Sequence, residues 1–136
     1  MTVRFNDAVR KLFDYPNPAV LATVNPDGSP QTSVVWVGRD GDELVISSQA
    51  GRRKEKNIRR DPRVSISVYG RDDPQQYVEV RGVATVTEDI GRELAVRLDE
   101  AYEGPGAGDW ALRLPPEVVR VVIRITPVLV TGYSAD

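Results

Sequence analysis

The sequence contains no histidine and no cysteine among its 136 residues. The absence of cysteine excludes a disulfide framework and a cysteine-based zinc site. The absence of histidine excludes a Ser-His-Asp triad, a histidine general base, and histidine ligation of zinc or haem. If the protein is an enzyme, we therefore expect a bound cofactor to supply most of its chemistry.

Long apolar runs and a strong net charge are also missing. No run approaches the ~20 apolar residues that a helix needs to span a membrane, and the N-terminal residues MTVRFNDAVRKLF lack the apolar centre of a signal peptide. The net charge is −2, whereas a general nucleic-acid binder is more often basic overall. We therefore expect one cytoplasmic domain covering residues 1–136, with no membrane span and no nucleic-acid partner.

The hydrophobic pattern predicts a mainly β protein with a few helices. Helical spacing of apolar residues covers 5–14 and 88–102, and the segment 103–116 is rich in Gly and Pro and is predicted as a loop. Gly82 interrupts a long strand and indicates a bulge or a bend. Because most links between strands are short, neighbouring strands are expected to be antiparallel. Six strands are predicted, at residues 19–25, 30–38, 43–48, 63–70, 77–87 and 118–126.

A basic stretch, residues 49–63, follows the third predicted strand and its two terminal hydroxyls, Ser47 and Ser48. Six of the nine residues in 52–60 are Arg or Lys. The stretch is predicted as a short helix that ends at Asp61, because the residue before a proline avoids helical angles. Its first turn carries cations where the helix dipole is already positive, so a bound anion would relieve the conflict. The alternative is an ordinary solvated cationic turn, and these residues alone leave both open.

Several motifs in this order resemble one known family. They are AVLATVNPDGSPQTSVVW, DGDELVISS, RRKEKNIRRDPRVSISV, YVEVRGVATVTED and RVVIRITPVLVTGY. Together they resemble the pyridoxamine 5′-phosphate oxidase-like split β-barrel family, and within it the branch of reductases that use the deazaflavin coenzyme F420. The resemblance implies an FMN-binding type split barrel of six antiparallel strands, which forms a homodimer with cofactor sites at the subunit interface.

The resemblance also implies residue roles. Arg52 and Lys54 would hold the cofactor phosphate, and Ser47 and Ser48 would lie along its side chain. The strand with Gln31, Thr32 and Ser33 would pass beside the ring. Asn57, which belongs to the same motif as Arg52 and Lys54, would also contact the cofactor. The implied reaction transfers hydride from reduced F420 to an unsaturated small-molecule acceptor such as a quinone, an enone or a bilin-like molecule.

Two alternatives share this fold. One is an FMN-binding oxidoreductase, and the other is a flavin-binding or F420-binding module without turnover. Oxidation of pyridoxamine phosphate itself is disfavoured, because the family pattern for that substrate includes an Arg-x-His element that the sequence lacks. No catalytic side chain and no metal ligand is predicted.

Several aromatic and basic residues carry further predictions. Trp36 is predicted to pack in the core or at a dimer interface. Trp110 is predicted either to cover a pocket or a neighbouring subunit, or to pack locally. Tyr69 and Tyr77 flank a loop and are candidates for lining a pocket. Arg120 and Arg124 alternate with apolar residues and are predicted to mark a solvated strand face.

Overall fold

The computed structural model of the protein describes residues 3–136. Within this range there are four helices, namely α1 Asp7–Asp14, α2 Arg53–Arg60, α3 Glu93–Glu103 and α4 Asp109–Leu112, with single 3₁₀ turns at Ile90–Arg92 and Tyr133–Ala135. The strands are β1 Ala19–Val24, β2 Pro30–Val35, β3 Val37–Asp40, β4 Glu43–Gln49, β5 Arg63–Tyr69, β6 Tyr77–Glu88 and β7 Arg120–Thr131.

The strands form one antiparallel sheet in the order β2-β1-β5-β6-β7-β4-β3. The two outermost strands, β2 and β3, are joined in the chain by a single residue, Trp36. Both edges of the sheet must therefore lie close together, and the sheet curls into a half-barrel. The fold class predicted from the sequence, mainly β with an antiparallel split barrel, is confirmed.

The predicted count of six strands is wrong, because the segment 30–38 forms two strands. Residues before Trp36 pair with β1, and residues after it pair with β4. Trp36 stacks on Tyr102 of α3, with ring centroids 5.0 Å apart, at the point where the chain changes partners. This packing within the protomer agrees with one of the two places predicted for Trp36.

The second half of the chain differs from the prediction at two places. The helix predicted over 88–102 begins only at Glu93, because the carboxylate of Asp89 accepts hydrogen bonds from the amides of Leu94 and Ala95, each over 3.0 Å. The segment 103–116 contains the short helix α4 rather than loop alone. The bulge predicted at Gly82 is confirmed by a register shift between Arg81 and Gly82.

The barrel interior is filled by apolar side chains that alternate along each strand. Helix α1 covers one end of the barrel with Val9, Leu12 and Phe13, all of which are buried. Helix α3 packs on the outer face of β4 through Leu94, Leu98 and Val45. Residues without solvent exposure in the core include Leu21, Leu44, Ile46, Ile66, Val78, Val80, Ile123 and Ile125.

Candidate anion-binding site

The turn between β4 and α2 is fixed by two backbone hydrogen bonds and a glycine. The amide of Ala50 donates to the carbonyl of Val119 over 2.9 Å, which ties the turn to the residue before β7. The amide of Arg52 donates back to Gln49 over 3.3 Å, and Gly51 adopts a positive φ of 95° that glycine accommodates without strain. The start of α2 is therefore held against the start of β7.

The buried carboxylate of Glu55 anchors this turn from within the helix. Its Oε1 accepts a hydrogen bond from the amide of Gly51 over 2.7 Å, and its Oε2 pairs with Arg59. The Gly51 hydrogen bond is the main cause that lowers the pKa of Glu55, and Arg59 adds to it. Both carboxylate oxygens of Glu55 are thus engaged by Gly51 and Arg59. Glu55 therefore forms no ion pair with the cations at the start of α2.

Three cations meet where α2, β4 and β7 come together. Arg52 occupies the N-cap position of α2, where it makes no side-chain cap hydrogen bond, and Lys54 lies in the first turn. Arg120 is the cross-strand neighbour of Gln49 and approaches from β7. Burial lowers the pKa of Lys54, and the nearby charges of Arg52 and Arg120 lower it further. The three groups are therefore close enough to repel one another.

No carboxylate within residues 3–136 forms an ion pair with any of these three cations. The charges of Asp99 and Asp89 act on Arg120 and oppose the lowering of its pKa by burial. Asp99 accepts a hydrogen bond from Trp110, and Asp89 caps α3. The free amides at the start of a helix add to the positive potential. The arrangement is suited to a phosphate, with charge and donors on three elements.

Only one of the two predicted serines shares this face. Adjacent residues of a strand point to opposite sides, and Ser47 lies on the side of Arg120, whose Nη2 donates to Ser47 Oγ over 2.8 Å. Ser48 points into the barrel interior and is buried beside Val121. Ser48 is therefore not on the face that carries Ser47 and Arg120, and the contact of both hydroxyls with one ligand stays a prediction.

Asn57 has a different role from the one predicted. Its side chain has no solvent exposure, and its amide donates to Thr23 Oγ1 over 3.0 Å and to Asn25 Oδ1 over 3.1 Å. Arg60 donates to the side-chain oxygen Oδ1 of Asn57 and to the backbone carbonyl of Val24. Asn57 and Arg60 thus fasten α2 to β1, so Asn57 is not available to a ligand.

The three predicted residues of β2 lie on the edge strand next to this fastening point. Thr23 donates to Gln31 Oε1 over 2.6 Å, while Thr32 is exposed on the opposite face. The hydroxyl oxygen of Ser33 is buried and has no hydrogen-bond partner among the described residues. No hydrogen bond in residues 3–136 joins Gln31, Thr32 or Ser33 to the cations. These three residues of β2 therefore form a polar edge of the sheet that is separate from the three cations.

Arg120 is the residue that sequence reasoning missed. Its alternation with apolar neighbours predicted a solvated side chain, but it is half-buried, and its guanidinium carbon lies 5.4 Å from the centre of the Trp110 ring. Arg124, four residues further along β7, is also partly buried, but it pairs with Asp40 and Glu43. Only the position of α4 over β7 distinguishes the two arginines, and no sequence signal indicated it.

The sequence model of the family described as "Pyridoxamine 5′-phosphate oxidase" matches residues 5–132. A curated "Pyridoxine/pyridoxamine 5′-phosphate oxidase" of Rubrobacter xylanophilus is 35% identical over 112 residues, which is 80% of this chain and 49% of that protein. The chain thus spans about half the length of the curated relatives it matches.

Two solved structures are similar over most of both chains. One, named "F420 Reductase", has a TM-score of 0.78 and 34% identity, and the match covers 90% of this chain and 94% of that one. The other, a conserved hypothetical protein from Mycobacterium tuberculosis, has a TM-score of 0.75 and 26% identity over 95% and 84% of the two chains. Within residues 3–136, no helix has the length and apolar character required to cross a membrane.

Proposed function

Because the chain belongs to the pyridoxamine 5′-phosphate oxidase family, we propose that it is an oxidoreductase that uses coenzyme F420 to reduce an unsaturated organic acceptor. The acceptor would be a conjugated small molecule such as a quinone, an enone or a bilin-like compound. The observation that carries the proposal is the convergence of Arg52, Lys54 and Arg120, which lack carboxylate partners in the described part of the chain.

The cations fit a cofactor that bears a phosphate. Arg52 offers a planar fork of donors that matches two phosphate oxygens, and Lys54 adds a compact charge. Ser47, held by Arg120, lies beside them on β4. The open edge of β2 offers backbone hydrogen-bonding groups to the polar rim of a ring system.

The reduced deazaflavin, when bound, supplies a hydride. The contribution of the chain is to hold the phosphate at the start of α2 and to orient the ring along β2, so that the acceptor meets it in one geometry. Tight fastening of α2 through Glu55 and Asn57 favours this role, because it fixes the phosphate site relative to β1 and β2.

F420 is favoured over FMN by the similarity to the structure named "F420 Reductase", which extends over 94% of that chain. The curated oxidases match over only about half of their length. The phosphate site alone suits either cofactor.

We also propose that the protein acts as a homodimer. Large side chains stand exposed on the outer face of neighbouring strands at Val20, Val34, Tyr69 and Tyr77, and Val34 is 71% exposed. A second copy packed on this face would cover them. Light scattering at several protein concentrations tests this; a monomer at all concentrations, with full cofactor affinity, would contradict it.

The function itself is tested by titrating the purified protein with F420 and with FMN under matched conditions. We expect F420 to bind more tightly, and reduced F420 to be oxidised in the presence of at least one member of a panel of quinones, enones and tetrapyrroles. Micromolar binding of FMN without binding of F420 would assign the protein to the FMN-dependent alternative. Binding of F420 without turnover would favour a binding module.

A further inference from the structure

Arg120 has unused hydrogen-bonding capacity in a half-buried position. A guanidinium has five N–H donors, yet the side chain makes one hydrogen bond within residues 3–136, from Nη2 to Ser47. Its Nε is buried and has no partner there. Burial lowers the pKa of Arg120, which means that the surroundings do not compensate its charge fully. Arg124 on the same strand has two carboxylate partners.

Trp110 covers Arg120 and is itself held in place. Its indole Nε1 donates to Asp99 Oδ2 over 2.5 Å, and Asp99 is buried on α3. The ring lies over the guanidinium at cation–π distance. Although Trp110 is 45% exposed, its orientation is therefore fixed by one hydrogen bond and one stacking contact.

The segment that carries Trp110 is pinned to the body of the protein. Arg92 donates to four of its backbone carbonyls, those of Ala111, Leu114, Pro115 and Val118, over 2.6–3.0 Å. Gly108 approaches Val96 so closely that a Cβ atom there would lie 2.7 Å from Val96 Cα. The segment 108–118 is thus a fixed cover over the start of β7 rather than a free loop.

We propose that Arg120 is a third ligand of the cofactor phosphate, and that Trp110, oriented by Asp99, is a positioning residue that holds the Arg120 guanidinium toward the anion between Arg52 and Lys54. This assignment rests on the proposed function, because the anion is the phosphate of its cofactor. Ser47 fixes one edge of the guanidinium and Trp110 fixes its plane, so the remaining donors are preorganised for an oxyanion. Preorganisation of this kind increases affinity by reducing the ordering that binding requires.

The first test uses inorganic phosphate and does not depend on the cofactor. The sequence has two tryptophans, so in a Trp36→Phe protein Trp110 is the sole indole reporter. We expect phosphate to change the emission of Trp110 at constant ionic strength, and expect this response to be lost in Arg120→Gln and kept in Arg124→Gln. Thermal melts establish that each variant is folded. A response that survives Arg120→Gln would overturn the assignment.

The second test compares FMN with riboflavin, which differ only in the phosphate. Arg120→Gln is expected to lower the affinity for FMN by about 10- to 100-fold, the scale of hydrogen bonds to charged groups. The affinity for riboflavin should not change. Trp110→Leu should lower the affinity for FMN but not that for riboflavin. Trp110→Phe, which keeps an aromatic face, should retain part of the FMN affinity that Trp110→Leu loses. Equal losses for both ligands would indicate a merely structural role and overturn the proposal.

The two tests separate the inference from the proposed function. If phosphate is bound through Arg120 but neither F420 nor FMN binds, the cofactor assignment fails while the anion site stands. If the cofactors bind with affinities that Arg120→Gln does not alter, the proposed function stands and the role of Arg120 is wrong. If neither phosphate nor cofactor binds, both are wrong.

Discussion

The side-chain amide of Asn57 donates to the hydroxyl of Thr23 over 3.0 Å, and this buried contact joins the basic helix α2 to the first strand of the sheet. The two residues are 34 positions apart in the chain. Because Arg52 and Lys54 lie only about one turn before Asn57 on the same short helix, the orientation of these two cations in the candidate anion site depends on this contact.

Replacement of Asn57 by Ala should destabilise the fold. The change leaves Thr23 and Asn25 without a buried donor, which costs about 1–3 kcal/mol in the free energy of unfolding. Urea denaturation measures this difference. Lys56→Ala, an exposed change on the same helix, is the control and should stay within about 0.5 kcal/mol of the parent. Equal stability of the two variants would show that Asn57 does not anchor α2.

The affinity for a phosphate ligand should depend on pH through Lys54. Its pKa is lowered in the free protein, mainly by burial, and a bound phosphate favours the charged form, so binding raises that pKa again. Affinity should therefore fall as the pH rises through the lowered pKa toward the ordinary lysine range.

Calorimetric titrations with FMN across the alkaline range measure this profile. In Lys54→Met the affinity should be lower and its pH dependence flatter over the same window. A profile that Lys54→Met does not change would assign the titration to another group. The same lysine makes the ligand-free fold more stable as the pH rises through that window, because the unfolded state there binds more protons.

A methyl group at Gly82 should destabilise the sheet. A Cβ atom there would clash with the carbonyl oxygen of Thr126 and lie 2.8 Å from Cγ2 of Ile125, where β6 and β7 shift register. Overpacking of this kind typically costs about 1–3 kcal/mol. Gly82→Ala is compared with Val83→Thr, an exposed change on the same strand, by thermal and urea unfolding. Similar stabilities would mean that the bulge adjusts without cost.

Loss of the Arg92 side chain should release the segment over β7. In Arg92→Gly the backbone keeps its left-handed conformation, which Arg92 adopts at φ 57°, without strain, but the four hydrogen bonds to carbonyls are lost. Hydrogen exchange should rise in residues 108–118 and remain unchanged in β1 and β5. Uniformly faster exchange would indicate global destabilisation instead.

Most of the fold could be predicted from local pattern. The basic helix ends at Asp61, which precedes a proline, and the bulge lies at Gly82. Both features were predictable because each depends on only one or two residues. The change of strand partner at Trp36 was not predictable in this way. The alternation of apolar residues in a segment is the same whether the segment pairs with one neighbouring strand or with two. Here the closure of the sheet makes the first part pair with β1 and the second part with β4.

The candidate site was predictable only on the α2 side. Arg52 and Lys54 can be recognised in the sequence because they place positive charge at the start of a helix, where the helix dipole is already positive. Arg120 reaches them through the pairing of β4 with β7, across 73 positions from Ser47, and its burial depends on α4, a helix that the Gly-rich composition concealed. Ser48 and Asn57 have polar side chains that could hydrogen-bond a ligand, but both side chains are buried.

The central claim is that Arg52 and Lys54 bind the phosphate of a deazaflavin cofactor. The most direct measurement compares, by calorimetry, a 5-deazaflavin with a side-chain phosphate and the same deazaflavin without it, in the parent protein, Lys54→Ala and Lys56→Ala. We predict that the phosphate improves binding to the parent and to Lys56→Ala, and that Lys54→Ala loses most of this gain, about 10- to 100-fold. Equal affinity of the parent protein for both ligands, or an unchanged ratio in Lys54→Ala, would contradict the account.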